Sequence, residues 1–239
     1  MAQSPRVLRP KATGFTPKSI SGLALWLDAS DSASVTIETG VKVWADKSGG
    51  AKNFTQDTLN NQPSYSATLN GKKVISFNGT SHQLNNLTNI INTANVTMFV
   101  VGQRNSGSYG GYITSMDSSG NGDLSPAMLI NSTNIAVRGD SGSVATGGGG
   151  FTGPSVITGV VSSWAPSVYL SGTLVQSQAA GGTPGPANTK TSIGTYRIAA
   201  ANWLNGYIGE IICYTRVLST TERQTVERYL GKKFGLTVA

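Results

Sequence analysis

The 239-residue sequence predicts an all-β protein: an antiparallel jelly-roll sandwich with one short C-terminal helix and an extended N-terminal arm. Three observations carry that expectation. Short runs of alternating apolar character recur from Ile20 to Tyr214, with Gly, Asn and Ser clusters between them. Charged residues make up only 12% of the chain while glycine occurs 30 times, which suits tight turns better than exposed helices. No amphipathic helical pattern separates the strands, which excludes a parallel βαβ arrangement and favours two packed antiparallel sheets.

In chain order, alternation and β-branched content predict strands over 23–28, 41–46, 73–77, 96–103, 110–116, 127–131 and 134–138. Further strands are expected over 155–162, 166–170, 173–177, 190–195 and 206–214. Asn70-Gly71, Asn78-Gly79 and Ser171-Gly172 accept positive φ, and the last pair joins two runs as a hairpin. Residues 139–153 and 179–187 are rich in Gly and Pro and are expected as long surface loops. Beyond Arg216, Ser219 and Glu222 form a Ser-x-x-Glu capping box. Val226, Tyr229 and Leu230 then share one face of a helix closing at Gly231 or Gly235, with Arg223, Glu227 and Lys232 on other faces.

The net charge of +7 is unevenly placed. Arg6, Arg9, Lys11 and Lys18 fall in the first 18 residues, where there is no acid, so the remainder carries only +3. Pro5, Pro10 and Pro17 keep this leader out of a sheet interior, so residues 1–19 read as an extended arm and 20–239 as one domain. A frayed, solvated terminus and an anchor on a larger assembly are the two readings of the arm. The anchor set would be Arg6, Val7, Leu8, Arg9, Lys11 and Phe15, whose apolar members a merely solvating tail would lack. Nucleic acid is the weaker candidate partner. No apolar run is long enough to span a membrane, and Met1 leads into no signal-peptide core, so a chain made and kept in a cytoplasm is expected.

Candidate chemistry is sparse. No strand carries acids at alternate positions, the pattern a glycosidase of this architecture would use, so hydrolysis ranks last and the chain is expected not to be an enzyme. The single His82 lacks a nucleophile elbow, and the single Cys213 lies on an apolar strand face as a structural thiol. Asp117, Ser119, Asn121 and Asp123 alternate as oxygen donors around Gly122, a pattern that suits calcium. The competing reading is a polar turn, because Met128 stands where an EF-hand-like loop would put its acid. Arg138-Gly139-Asp140 spells an integrin-type tripeptide and reads as a strand-end turn. For sugar stacking and hydroxyl contacts the candidates are Arg104, Tyr109, Tyr112, Tyr196 and Arg197, with Asn105 and Asn202 beside them. Aromatic residues at strand ends serve packing more often than ligands. Trp26, Trp44 and Trp203 are assigned to the core.

Three segments carry a family likeness: Leu25-Trp26-Leu27-Asp28-Ala29, Val43 to Gly49, and Gly206 to Glu222. Together they resemble the laminin-G-like, concanavalin A-like jelly-roll domains over about residues 22 to 236. A starting Met, a basic arm and one complete jelly roll further resemble bacteriophage virion proteins that decorate heads or tails. The likeness implies a non-catalytic virion accessory, docked by its arm on capsid or tail proteins, with a solvent-facing domain that reaches cell-surface glycans. A homo-oligomer would strengthen such docking. The alternative is a carbohydrate-binding adhesion or receptor-binding module, and the remote one a glycoside hydrolase. These are fold-level analogies.

Overall fold

The computed structural model describes residues 14–107, 109–117, 126–149, 153–183, 190–198 and 202–239. In chain order the strands are β1 (Leu23–Asp28), β2 (Val35–Ile37), β3 (Val41–Trp44), β4 (Phe54–Thr55), β5 (Thr68–Leu69), β6 (Lys72–Lys73), β7 (Ile75–Asn78), β8 (Leu84–Asn86), β9 (Asn95–Ser106) and β10 (Tyr109–Met116). They continue as β11 (Ala127–Asn131), β12 (Asn134–Arg138), β13 (Val144–Gly147), β14 (Ser155–Ser162), β15 (Ala165–Leu170), β16 (Thr173–Ser177), β17 (Lys190–Ile193), β18 (Thr195–Arg197), β19 (Asn202–Trp203) and β20 (Asn205–Tyr214). Helix α1 follows over Thr220–Phe234.

Two antiparallel sheets pack face to face, as the sequence predicted. The first runs β1-β20-β9-β14-β15-β16, with β7 also paired to β20; the second runs β13-β12-β11-β10-β17-β8-β4-β3-β2. Period-two alternation sends Met128, Ile130, Ile135 and Val137 of the second sheet, and Leu25, Leu27, Met98, Val100 and Ile211 of the first, into the core between them. The opposite faces of the central strands in the first sheet are apolar too. Trp26, Phe99, Val101, Val156, Ile212 and Tyr214 pack beneath Val226, Leu230 and Phe234 of α1. This two-sided burial explains why β9 and β20 read as nearly continuous apolar runs.

Most strands fall within a residue or two of their expected bounds, and the differences have physical causes. The stretch expected over 190–195 breaks at Gly194, whose φ of 90° turns the chain from β17 into β18. Val144–Gly147, expected as loop, forms the edge strand β13 because β12 offers it a free ladder through Ala136 and Arg138. The pairs β5–β6 and β18–β19, and the short strands β2, β4 and β8, are two or three residues each and carry no pattern of their own. Ser219 and Glu222 cap α1 reciprocally, and Gly235, with φ 65°, ends it, so Gly231 is interior. Arg223 and Glu227, expected away from the apolar face, form a buried ion pair at 2.6 Å. Glu227 also accepts from Thr158 of β14, and Arg223 lies 4.0 Å from the centre of the Tyr169 ring.

A second ionic cluster fixes α1 to the first sheet. Glu210 on β20 is fully buried and accepts from Trp26 Nε1 at 2.7 Å, Lys233 Nζ at 2.6 Å and the Tyr229 hydroxyl at 3.1 Å. Lys233 also meets Asp28, which pairs with Lys47 in turn, and Lys47 with Asp31. Burial, then the nearby charge of Asp28, push the Glu210 carboxyl up to about 7 against the opposing pull of Lys233. A carboxyl raised from its ordinary 4.5 holds a proton in the folded chain that the unfolded chain has lost. Its contribution to stability is therefore full below about pH 4.5 and falls as pH rises through about 7. His82, lowered by burial, contributes with the opposite sign near its ordinary 6.5, so the Glu210 effect is read as a difference between proteins. Urea unfolding of wild type and Glu210→Gln across this range should show a wild-type stability that declines with pH relative to the variant; parallel curves would refute it.

Candidate functional site

On the second sheet, the face turned away from the core carries mixed chemistry. Leu129 and Asn131 of β11 and Ala136 and Arg138 of β12 alternate with the core residues and point outward together. The β18–β19 hairpin lies against this sheet and buries Tyr196 on Ala127, Leu129 and Ala136. Two glycines of β10 permit the approach. A Cβ on Gly111 would sit 2.2 Å from the Thr195 carbonyl oxygen, and one on Gly110 would sit 2.7 Å from Leu204 Cα. Thr114 reinforces the seat by donating its hydroxyl to Thr195 O at 2.9 Å.

Between the hairpin and β11–β13 lies a cleft of about 390 Å³. Its wall on the hairpin side is Tyr196, Arg197 and Asn202; its floor is Leu129, Asn131, Arg138 and Val144; Tyr109 stands at the rim, 45% exposed. Tyr196 is only 5% exposed, and its phenol is raised by burial despite the opposing influence of Arg138. The Arg138 guanidinium lies 6.0 Å from the centre of the Tyr196 ring. The cleft thus combines two aromatic rings, two guanidiniums and two carboxamides on a rigid sheet floor, a donor-rich and partly apolar lining of the kind that small polar ligands require.

Of the five residues proposed for sugar contact, Tyr109, Tyr196 and Arg197 converge on this cleft. The other two do not. Tyr112 is fully buried between the sheets, where its ring packs against Gly102, so it is withdrawn from the set. Arg104 is 8% exposed and braces the turn after β9 by donating to Gly107 O at 2.8 Å. Asn131 and Arg138 were missed, although their position on the outward face follows from the alternation of β11 and β12. Trp26 and Trp44 are buried as expected, but Trp203 is only half-buried because its hairpin rides outside the sheet.

The tripeptide Arg138-Gly139-Asp140 is a structural turn. Asp140 is fully buried, and its carboxylate accepts from the backbone of Gly142, Ser143, Gly181 and Gly182, tying two loops together. Of the calcium set, Asp117 follows β10, while Ser119, Asn121 and Asp123 lie outside the described residues. Arg6, Val7, Leu8, Arg9 and Lys11 of the arm lie outside them as well. Phe15, assigned to the arm, packs edge-on to Tyr229 of α1 at 5.4 Å, and Tyr214 donates its hydroxyl to Pro17 O at 2.9 Å, so Phe15 to Pro17 join the domain. Beside them a groove of about 650 Å³ is lined by Phe15, Lys72, Arg228, Tyr229, Lys232 and Lys233. Asp28 and Glu210, never adjacent in sequence, stand opposite one another across β1 and β20. Both are buried, and protein donors already occupy their oxygens.

No protein family and no characterised sequence matches the chain. Solved structures share its fold. Trypanosoma rangeli sialidase in complex with sialic acid superposes with a TM-score of 0.65 at 13% identity, over 90% of this chain and 33% of that one. The binding domain of Paraclostridial Mosquitocidal Protein 1 superposes with a TM-score of 0.60 at 15% identity, covering 90% of this chain and 53% of that one. The botulinum neurotoxin serotype D binding domain gives 0.56 at 15% identity, covering 87% and 52%. The chain therefore spans between a third and about half of these proteins, and the likeness establishes the β-sandwich fold. It also corrects the expectation that the chain is not an enzyme. One of the similar sialidase structures is a covalent intermediate with 2,3-difluorosialic acid, at 15% identity, so fold and composition give no ground for excluding catalysis.

Replacing Gly111 with Val should force the hairpin off β10, because the added side chain would overlap Thr195. A loss of about 1 to 3 kcal/mol in urea unfolding is expected, with faster amide exchange at residues 195–197. Unchanged exchange there would show that the hairpin does not depend on the close approach.

Proposed function

We propose that the chain is a carbohydrate-recognition β-sandwich that holds a saccharide in the cleft between the β18–β19 hairpin and β11–β13. The observation that carries this reading is the convergence of Tyr109, Tyr196, Arg138, Arg197, Asn131 and Asn202 on one cleft of sugar size. Aromatic faces meet the CH groups of a pyranose, while carboxamides and guanidiniums meet its hydroxyls. The similar structures, a sialidase with sialic acid and two toxin binding domains, are consistent with it. The test is a glycan array followed by calorimetry on the full chain. Tyr109→Ala and Asn202→Ala should each weaken binding of the best glycan about tenfold or more, with near-ultraviolet dichroism unchanged. An array without signal, or variants that bind as the wild type does, would overturn the reading.

A second observation favours attachment to a larger assembly. The cationic groove beside Phe15 lies on the α1 side of the first sheet, the face opposite the cleft. A module held there, with help from the basic residues Arg6, Arg9 and Lys11, would turn its cleft to solvent. A virion capsid or tail, with the laminin-G-like domain as its outward part, is the assembly that the sequence suggests. Co-sedimentation with particles from the source should be retained by the full chain and lost on removing residues 1–13 or on the double substitution Lys72→Glu, Arg228→Glu. Equal sedimentation of all three proteins would refute the anchor.

A further inference from the structure

We infer that the groove beside α1 takes an acidic segment of a partner polypeptide, one in which carboxylates flank a large apolar side chain. The inference rests on the attachment reading and adds the chemistry that the partner presents. Three elements wall the groove: Arg228, Tyr229 and Lys232 come from α1, Lys72 from the β5–β6 hairpin, and Phe15 from the segment before β1. These walls are tied to one another. Asn70, at the turn of the hairpin, donates to Phe234 O at the end of α1 at 2.8 Å, and Phe15 packs edge-on to Tyr229. The space of about 650 Å³ between them is thus held open by contacts of the protein itself, and it has room for several side chains of a partner.

The charge of the groove has one sign. No acid is found among the described residues that line it. Lys233 is engaged by Asp28 and Glu210, whereas Lys72, Arg228 and Lys232 are exposed and form no ion pair among the described residues. The two acids of α1 are taken elsewhere, Glu222 by Arg216 and Glu227 by Arg223. Arg228 and Lys232 stand four residues apart on the helix, a spacing at which like charges repel. Lys232 in the last turn suits the negative end of the helix dipole, but Arg228 lies further back and Lys72 belongs to another element, so the dipole does not account for them. A carboxylate-bearing segment would relieve this repulsion.

The apolar part of the lining selects among anions. Phe15 and Tyr229 place two rings beside the cations, a patch that a run of phosphates would leave uncovered and that an apolar side chain would fill. The chain's own leader is a poor occupant, because the sequence before Gly14 contains Arg6, Arg9 and Lys11 and no acid. A second copy is a poor one too: its acids are scattered along the sequence, and Asp28, Asp31, Glu38, Glu210, Glu222 and Glu227 are already ion-paired.

The test follows the fluorescence anisotropy of a short labelled peptide, glutamates on both sides of a central phenylalanine, as the full chain is added. The peptide should bind about tenfold or more tighter than a version with glutamine for glutamate, and tighter than one with serine for phenylalanine, with affinity falling as salt rises. The double substitution Lys72→Gln, Arg228→Gln should remove this binding with near-ultraviolet dichroism unchanged. Lys232→Gln provides an independent variant should the first misfold, and Lys42→Gln, on the second sheet, should bind as the wild type does. Equal binding of the glutamate and glutamine peptides would overturn the inference, as would tighter binding of a single-stranded oligonucleotide of equal charge. Excess peptide should also release the full chain from source particles. Particles that shed the groove variant yet keep the wild type in excess peptide would overturn the acidic segment and leave attachment standing; particles that hold the variant as they hold the wild type would overturn both.

Discussion

Glu210 has no contact with solvent, and the groups that hold it come from two other elements, Trp26 from β1 and Tyr229 and Lys233 from α1, around a carboxyl on β20. A carboxylate so placed is costly to strand without partners, which links the helix to the sheet by more than apolar area. The helix must sit there. Without it Phe99, Val101, Ile212 and Tyr214 would face water from the middle of the first sheet. The Arg223–Glu227 pair, reaching Thr158 and Tyr169, repeats the device at the other end of the helix. Both ion clusters set the position of α1, while the apolar contacts beneath it supply the larger share of the burial.

Covering the first sheet leaves the second as the face on which a recognition surface can be built. Its strands bury one side and spend the other on Asn131, Arg138 and the outer apolar cluster. The hairpin supplies what a flat sheet lacks, a wall. Gly110 and Gly111 let that wall stand close enough for Tyr196 to be fixed by packing. A rigid floor and a packed aromatic mean that little ordering remains for a ligand to impose, which is the condition for useful affinity from a small contact area.

Fold and function separate at this point. The similar structures include a sialidase and toxin binding domains, at identities between 13% and 15% among the three compared. Such likeness identifies an architecture, and a site has to be argued from its own residues. In this chain the argument rests on the cleft, whose lining is aromatic, amidic and cationic.

The sandwich, its closing helix and most strand positions were legible in the chain because period-two alternation and the Ser219 to Glu222 capping box are local signals. Tyr109, Tyr196 and Arg197 were legible as candidates through residue type alone, which is why Tyr112, chemically identical to Tyr109, was grouped with them. Only the register of β10 against its neighbours decides that one tyrosine faces the core and the other the rim. Arg138 was hidden inside a tripeptide that suggested a turn, and its place in the cleft depends on a hairpin nearly 60 residues further along the chain. The Asp28–Glu210 juxtaposition likewise comes from pairing β1 with β20, across nearly the whole chain. Sequence alone determined where the helix and the longer strands form, since those depend on neighbours along the backbone. Tertiary structure decided which side chains meet, since that depends on sheet order and on which faces are already covered.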